Sequence, residues 1–78
     1  MKAILEFDLE DGGDKMAHLR AIKAVNMAIV LWEMDQYLRG LIKYGELDDL
    51  TYKTLQDTRD KLKEIMDDNG VNLDELIN

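Results

Sequence analysis

Hydrophobic side chains recur along residues 14–44 with the period of an α-helix, and they form two stripes on it. The first stripe consists of Met27, Leu31, Met34, Leu38, Leu41 and Ile42. The second stripe lies roughly opposite over the middle turns and consists of Ile22, Val25, Ile29 and Trp32. The pattern therefore predicts one long helix with two separate surfaces to cover.

The only other long helical pattern spans residues 48–69, and its apolar stripe is narrow. One partner helix covers one stripe, so the other would remain as an apolar patch in water. We therefore expect a homo-oligomer, either a dimer or a larger assembly. The two long helices can pair antiparallel as a hairpin in one chain or exchange between chains, since both arrangements cover the same stripe.

Residues 1–10 alternate apolar and polar side chains, which is the pattern of a half-buried strand. No second strand is evident in the sequence, so its backbone groups need an external partner. We expect it to pair with the same strand of another subunit, antiparallel about a two-fold axis. The alternative is an extended arm that lies on the helices without sheet pairing.

Turn and capping residues divide the chain. Asp14 is the expected N-cap of the first helix, with Asp11 or Gly13 as alternatives, and Gly45 is expected to end it. Gly40, inside that helix, suggests close packing or a local kink. Residues 72–78 resemble a capping box followed by a short helical turn.

The predicted fold is thus mainly α, in a single domain over residues 1–78. A short N-terminal strand precedes a long helix, a second antiparallel helix and a short terminal turn. The chain has no cysteine and one histidine, which excludes disulfides and argues against thiolate or histidine metal sites. Oligomerisation remains as the usual means of stabilising so small a core.

The net charge of −7 is unevenly distributed, with −4 over residues 1–14, +3 over 15–44 and −6 over 45–78. The overall acidity argues against nucleic-acid binding. A small anion would bind along the basic first helix, unless that helix simply packs beside an acidic one. We expect a cytoplasmic protein without a signal peptide or membrane contact, because the opening residues are acidic and the apolar runs are short.

Four side chains share a narrow arc near the end of the first helix and form a candidate ligand surface, here called the polar arc. They are Trp32, Gln36, Arg39 and Lys43. An aromatic plane beside a guanidinium and an amide suits a nucleobase and a phosphate. Tyr44 lies further round the helix. The same residues could serve helix packing, with Asp35 pairing to Arg39 at i,i+4.

Enzymatic motifs are not evident in the sequence, which has no nucleophile–base pair, no metal-ligand set and no phosphate-cradling glycine loop. We therefore predict a protein without catalytic residues or cofactors.

Three segments carry a family resemblance. They are an opening strand at Glu6 to Leu9, a helix from Trp32 to Arg39 followed by Lys43-Tyr44, and a helix from Arg59 to Gly70. In these segments the chain resembles a family of small, mostly uncharacterised proteins of tailed bacteriophages.

The resemblance implies a phage accessory protein that acts in the cytoplasm of a bacterial host. Small acidic oligomers of this kind are often counter-defence factors, which bind rather than turn over a substrate. We expect a protein that sequesters a nucleotide-type immune signal between subunits, through the polar arc, Tyr44 and Arg59. The alternatives are an acidic inhibitor that docks on a host defence protein, or a structural or regulatory phage oligomer.

Overall fold

A computed structural model describes residues 1–77, which form three helices. Helix α1 spans Gly12–Tyr44, α2 spans Asp49–Asp68 and α3 spans Leu73–Ile77. These bounds agree within two residues with the predicted helices, except that residue 78 of the terminal turn lies outside the described residues. The chain is thus mainly helical, as predicted.

The N-cap of helix α1 lies three residues before the preferred prediction, Asp14. The carboxylate of Asp11 accepts hydrogen bonds from the backbone N–H groups of Gly13 (2.8 Å) and Asp14 (3.1 Å), so Asp11 is the N-cap. The carboxylate of Asp14 instead accepts from the backbone N–H of Asp8 at 3.0 Å. Asp14 therefore fixes the preceding segment against the helix rather than starting it.

Gly45 ends α1 in an extended conformation, with its N–H donating to the carbonyl of Leu41 at 3.0 Å. A Cβ atom at this position would lie 2.5 Å from that carbonyl oxygen, so glycine is needed for the close approach. Gly40 differs, because a Cβ there would meet no atom within 4 Å. Close packing within residues 1–77 is therefore not the reason for Gly40.

Polar side chains also begin the two shorter helices. The carboxylate of Asp48 accepts from the N–H of Thr51 at 2.7 Å. The side chain of Asn72 accepts from the N–H of Asp74 at 2.9 Å at the start of α3. Between them, Gly70 adopts a left-handed φ of 68°, which turns the chain back toward α1.

The predicted N-terminal strand is wrong: residues 1–77 contain no strand, and residues 1–8 form an arm without regular secondary structure. A strand requires a partner for its backbone groups, and the described chain offers none. The arm contacts α1 through Phe7, whose ring lies edge-on to His18 with 5.6 Å between centroids. The apolar residues Ile4 and Leu5 remain exposed.

Helices α2 and α3 both pack on α1, so the two long helices form a hairpin within one chain. The buried hydrophobic residues are Ala28, Leu38 and Met66. In the first stripe only Leu38 is fully covered, while Met27 and Met34 remain about half exposed. A single narrow helix therefore covers only part of the stripe that it faces.

The single chain has an extended shape and a large surface. Its radius of gyration is 17.3 Å, against about 11–12 Å for a compact domain of this length. Its accessible surface is 6711 Å², whereas a compact monomer of 9.0 kDa exposes about 4,900 Å². A large share of the hydrophobic surface therefore has no cover within residues 1–77.

Candidate functional site

The second stripe lies open along α1. Ile22 and Val25 are 57% and 55% exposed, and Ile29 and Trp32 are 39% and 42% exposed. The buried residues of α1, which are Ala28, Asp35 and Leu38, lie about 80–160° round the helix from the centre of the second stripe by their 100° spacing. The hairpin therefore uses one side of α1 and leaves the second stripe in solvent.

The polar arc continues this open side toward the C-terminal end of α1. Trp32, Arg39 and Lys43 are exposed, and Gln36 is partly covered. The ammonium group of Lys43 lies 5.3 Å from the ring centroid of Tyr44, within cation–π range. The arc therefore presents an aromatic face, an amide and two cations from one rigid helix, with Tyr44 at its end.

Arg59 does not join the polar arc, because α2 directs it to Asp35. Its Nε donates to Oδ1 of Asp35 at 2.8 Å, and its Nη2 donates to Oδ2 at 3.2 Å. The side chains of Arg59 and Asp35 are only 18% and 11% exposed. This two-point pair replaces the anticipated pairing of Asp35 with Arg39, and it holds two of the five N–H donors of Arg59 in the contact between the helices.

The ion pair changes the acidity of Asp35. The hydrogen bond from Arg59 holds the pKa of the Asp35 carboxyl below its ordinary value, against the opposing effect of burial. The charges of Arg59, Lys63 and Arg39 act in the same direction. Arg39 thus contributes to the field around Asp35, but it makes no ion pair within 4 Å in the described chain. Its guanidinium stays available at the surface.

The sequence contains a signal for this pair. Asp35 stands between Leu31 and Leu38 of the first stripe, where the helical spacing calls for an apolar residue. Arg59 interrupts the apolar stripe of α2 in the same way, between Leu55 and Leu62. One acidic and one basic interruption on facing stripes predict a cross-helix ion pair, since a partly buried charge needs a partner.

Other kinds of site receive no support from residues 1–77. No group of three or more His, Cys, Asp or Glu side chains there could hold a metal ion. None of the described helices has the length and hydrophobicity needed to cross a bilayer. The chain matches no protein-family model, no curated protein and no solved structure.

Proposed function

We propose that this chain is a phage accessory protein that counters bacterial defence by binding, and that it sequesters a nucleotide-type immune signal. The polar arc is the proposed binding surface, and the protein acts as a homo-oligomer in the host cytoplasm. The observation that carries the proposal is the exposed side of α1, where Trp32 lies in line with Arg39 and Lys43 on one helix.

The chemistry of the polar arc suits a nucleotide. The exposed face of Trp32 provides a stacking surface for a base, which contributes about 1–3 kcal/mol per base in known complexes. Arg39 and Lys43 follow about two and three turns further on and can neutralise phosphate charge. Gln36 can read a base edge with its amide. Arg59 is left out of the proposed site, because Asp35 holds its guanidinium.

The shape of the surface supports a site between subunits. A single exposed helix is convex, whereas small-molecule sites are concave and cover most of their ligand. A second copy beside α1 would supply the missing wall. The second stripe, which continues the polar arc, gives that copy an apolar surface to bind.

The proposal is tested by native mass spectrometry of the purified protein with cyclic and linear signalling nucleotides. We expect an oligomer that gains the mass of one class of nucleotide. The double variant Arg39→Ala, Lys43→Ala should lose that mass while keeping its oligomeric state. A wild-type oligomer that binds no nucleotide would overturn the proposal.

A matched control is the double variant Lys53→Ala, Lys61→Ala. It removes the same amount of positive charge from α2, where each lysine is exposed and paired with a carboxylate of its own helix. We expect it to bind the nucleotide like the wild type. An equal loss of binding in both double variants would show a response to net charge rather than a site at the polar arc.

A further inference from the structure

One regular series of side chains runs along the open side of α1, and we call it the open seam. Its members are His18, Ile22, Val25, Ile29, Trp32, Gln36, Arg39 and Lys43. Successive members are separated alternately by four and three residues. This is the spacing at which helices pack side by side as a coiled coil, with every member directed at the partner helix.

The open seam is apolar in its middle and polar at both ends. Ile22, Val25, Ile29 and Trp32 occupy the middle and are between 39% and 57% exposed. His18 begins the seam and is partly covered, with the ring of Phe7 edge-on to it. Such an apolar centre with polar ends is what two copies of one helix can share, because a two-fold axis through the centre brings like surface onto like surface.

The amount of uncovered surface is sufficient for a dimer. The chain exposes roughly 1,800 Å² more than a compact protein of its mass. A stable interface of standard size removes about 800 Å² from each partner. Covering the open seam with a second copy therefore accounts for a large part of the excess, and it leaves the exposed residues Met27, Val30 and Met34 on another side of α1.

We infer that the open seam binds a second copy of this chain, with the two α1 helices antiparallel about an axis near residue 27. This inference rests on the homo-oligomer of the proposed function and specifies its interface. The arrangement places Ile22 beside the second copy's Trp32, and Val25 beside the second copy's Ile29. Ile22, Val25 and Ile29 are thereby covered, whereas Trp32 is covered on one face only, and its other face remains for the polar arc.

Charge decides between the two possible directions. Residues 1–14 carry −4, whereas the far end of the seam carries Arg39 and Lys43. A parallel dimer would align the two acidic arms with each other, and Arg39 with the second copy's Arg39. The antiparallel dimer instead sets Asp11 beside the second copy's Lys43 at each end, so opposite charges meet.

The same arrangement completes the polar arc. Gln36 and Arg39 then lie beside the second copy's His18 and Lys15. Arg39 and the second copy's Lys15 therefore meet as like charges at each of two symmetric sites, next to the pair that Lys43 forms with the second copy's Asp11. Two cations without a facing carboxylate favour an anion, so each site suits a ligand that carries phosphate. Both copies contribute residues to each site, which is incomplete in one chain.

Crosslinking of two single-cysteine variants tests the interface, since the chain has no cysteine of its own. His18→Cys and Gln36→Cys change the polar ends of the seam and leave its apolar centre intact. The two variants, one carrying a mass tag, are mixed and treated with a short thiol crosslinker. We expect crosslinks between the variants, because the antiparallel dimer sets position 18 beside position 36. Two copies of either variant should not crosslink, since equal positions lie about 27 Å apart along the axis.

The control replaces Gln36→Cys with Met34→Cys, which lies at nearly the same height but on another side of α1. It should give no crosslink with His18→Cys. Crosslinks between equal positions would show a parallel dimer and overturn the inference. A crosslink through position 34, or none through either, would show that another surface binds the second copy, and would equally overturn it.

Native mass spectrometry of the wild-type protein, set beside the crosslinking of the cysteine variants, separates this inference from the proposed function. Nucleotide binding by the wild type without an 18-to-36 crosslink in the variants would leave the function standing and refute the antiparallel seam. An 18-to-36 crosslink in the variants, together with a wild type that binds no nucleotide, would refute the function and leave the antiparallel seam standing. In a dimer that binds nucleotide, Lys15→Ala should weaken binding at least tenfold, because the second copy's Lys15 borders each site.

Discussion

Asp35 and Arg59 join the two long helices through two parallel hydrogen bonds, of 2.8 Å from Nε to Oδ1 and 3.2 Å from Nη2 to Oδ2. Both side chains are mostly covered, and the buried hydrophobic residues among residues 1–77 are only Ala28, Leu38 and Met66. A polar contact therefore fixes the register of α2 on α1 where the hydrophobic core is too small to do so alone. The geometry is also one that lysine could not reproduce.

Breaking this pair should destabilise the fold. We expect Asp35→Ala to lower the free energy of unfolding by about 1.5–3 kcal/mol, because it leaves the Arg59 guanidinium covered and without its carboxylate. Chemical denaturation measures the change. The double variant Asp35→Leu, Arg59→Met should recover much of the loss, and Lys53→Ala, which breaks an exposed pair, should change little. Equal effects of Lys53→Ala and Asp35→Ala would contradict a special role for the Asp35–Arg59 pair.

Stability should depend on pH through the same carboxyl. Arg59 lowers the pKa of Asp35 in the folded state below its ordinary value of 3.8. The stabilisation is therefore complete above about pH 5 and is lost as the pH falls below about 4 and through the folded pKa. Chemical denaturation at several pH values between 2.5 and 7 measures how the free energy of unfolding changes with pH. Asp35→Asn should lose less unfolding free energy over this range than the wild type. An equal loss in both proteins would show that the Asp35 carboxyl does not cause the pH dependence.

Alanine should have opposite effects on the free energy of unfolding at Gly45, the C-cap of α1, and at Gly40, inside α1. Gly45→Ala places a Cβ 2.5 Å from the Leu41 carbonyl oxygen, so we expect a loss of at least about 1 kcal/mol in the free energy of unfolding. Gly40→Ala places its Cβ in open space within a helix, so we expect a gain of about 1 kcal/mol. Thermal melts of the two variants at equal concentration give the comparison. Losses of similar stability in Gly45→Ala and Gly40→Ala would contradict the inference that only Gly45 lacks room for a Cβ atom.

The small core should be sensitive to a single truncation. Leu38 is 8% exposed, and we expect Leu38→Ala to lower the free energy of unfolding by about 2–3 kcal/mol. Leu50 offers a matched control on α2 because it is 75% exposed, and Leu50→Ala should change stability by less than about 0.5 kcal/mol. Chemical denaturation of both variants decides the matter. A tolerated Leu38→Ala would mean that the hairpin core contributes little.

Thermal stability should rise with protein concentration. If the open side of α1 binds another copy, association stabilises the folded state by mass action, and the unfolding midpoint moves upward as the concentration increases. Differential scanning calorimetry over a hundredfold concentration range measures the shift. Ile22→Glu with Ile29→Glu should abolish the concentration dependence and lower the midpoint. A wild-type midpoint that stays constant would argue for a stable monomer.

Local sequence signals were sufficient to predict the helices and most of their ends. The periods of residues 14–44 and 48–69 gave the two long helices, and Gly45, Gly70 and Asn72 marked their boundaries. These features depend on groups a few residues apart, which act in the same way wherever the chain folds. The choice of Asp11 over Asp14 as the cap was harder, since both carboxylates stand within reach of the first turn.

The alternating pattern of the N-terminal residues gave a wrong strand prediction. A strand needs a neighbouring strand for its backbone hydrogen bonds, and a local sequence pattern does not show whether that neighbour exists. Residues 1–8 carry the period of a strand, yet they pair with no other strand in the described residues, and Phe7 contacts His18 of α1 instead. The polar arc was partly predicted. Its four members share one side of α1 by helical geometry alone, whereas the inclusion of Arg59 depended on where α2 would direct its side chain.

By itself, the sequence determined three helices, most of their ends and a long first helix with more apolar surface than one partner can cover. Only the tertiary structure decided that Asp35 pairs with Arg59 rather than Arg39, and that the hairpin leaves Ile22, Val25 and Trp32 in solvent. Helix formation follows from bonds between near neighbours in the chain. Which side of α1 is covered depends on the direction and rotation of α2, and those are set by contacts between residues 24 positions apart.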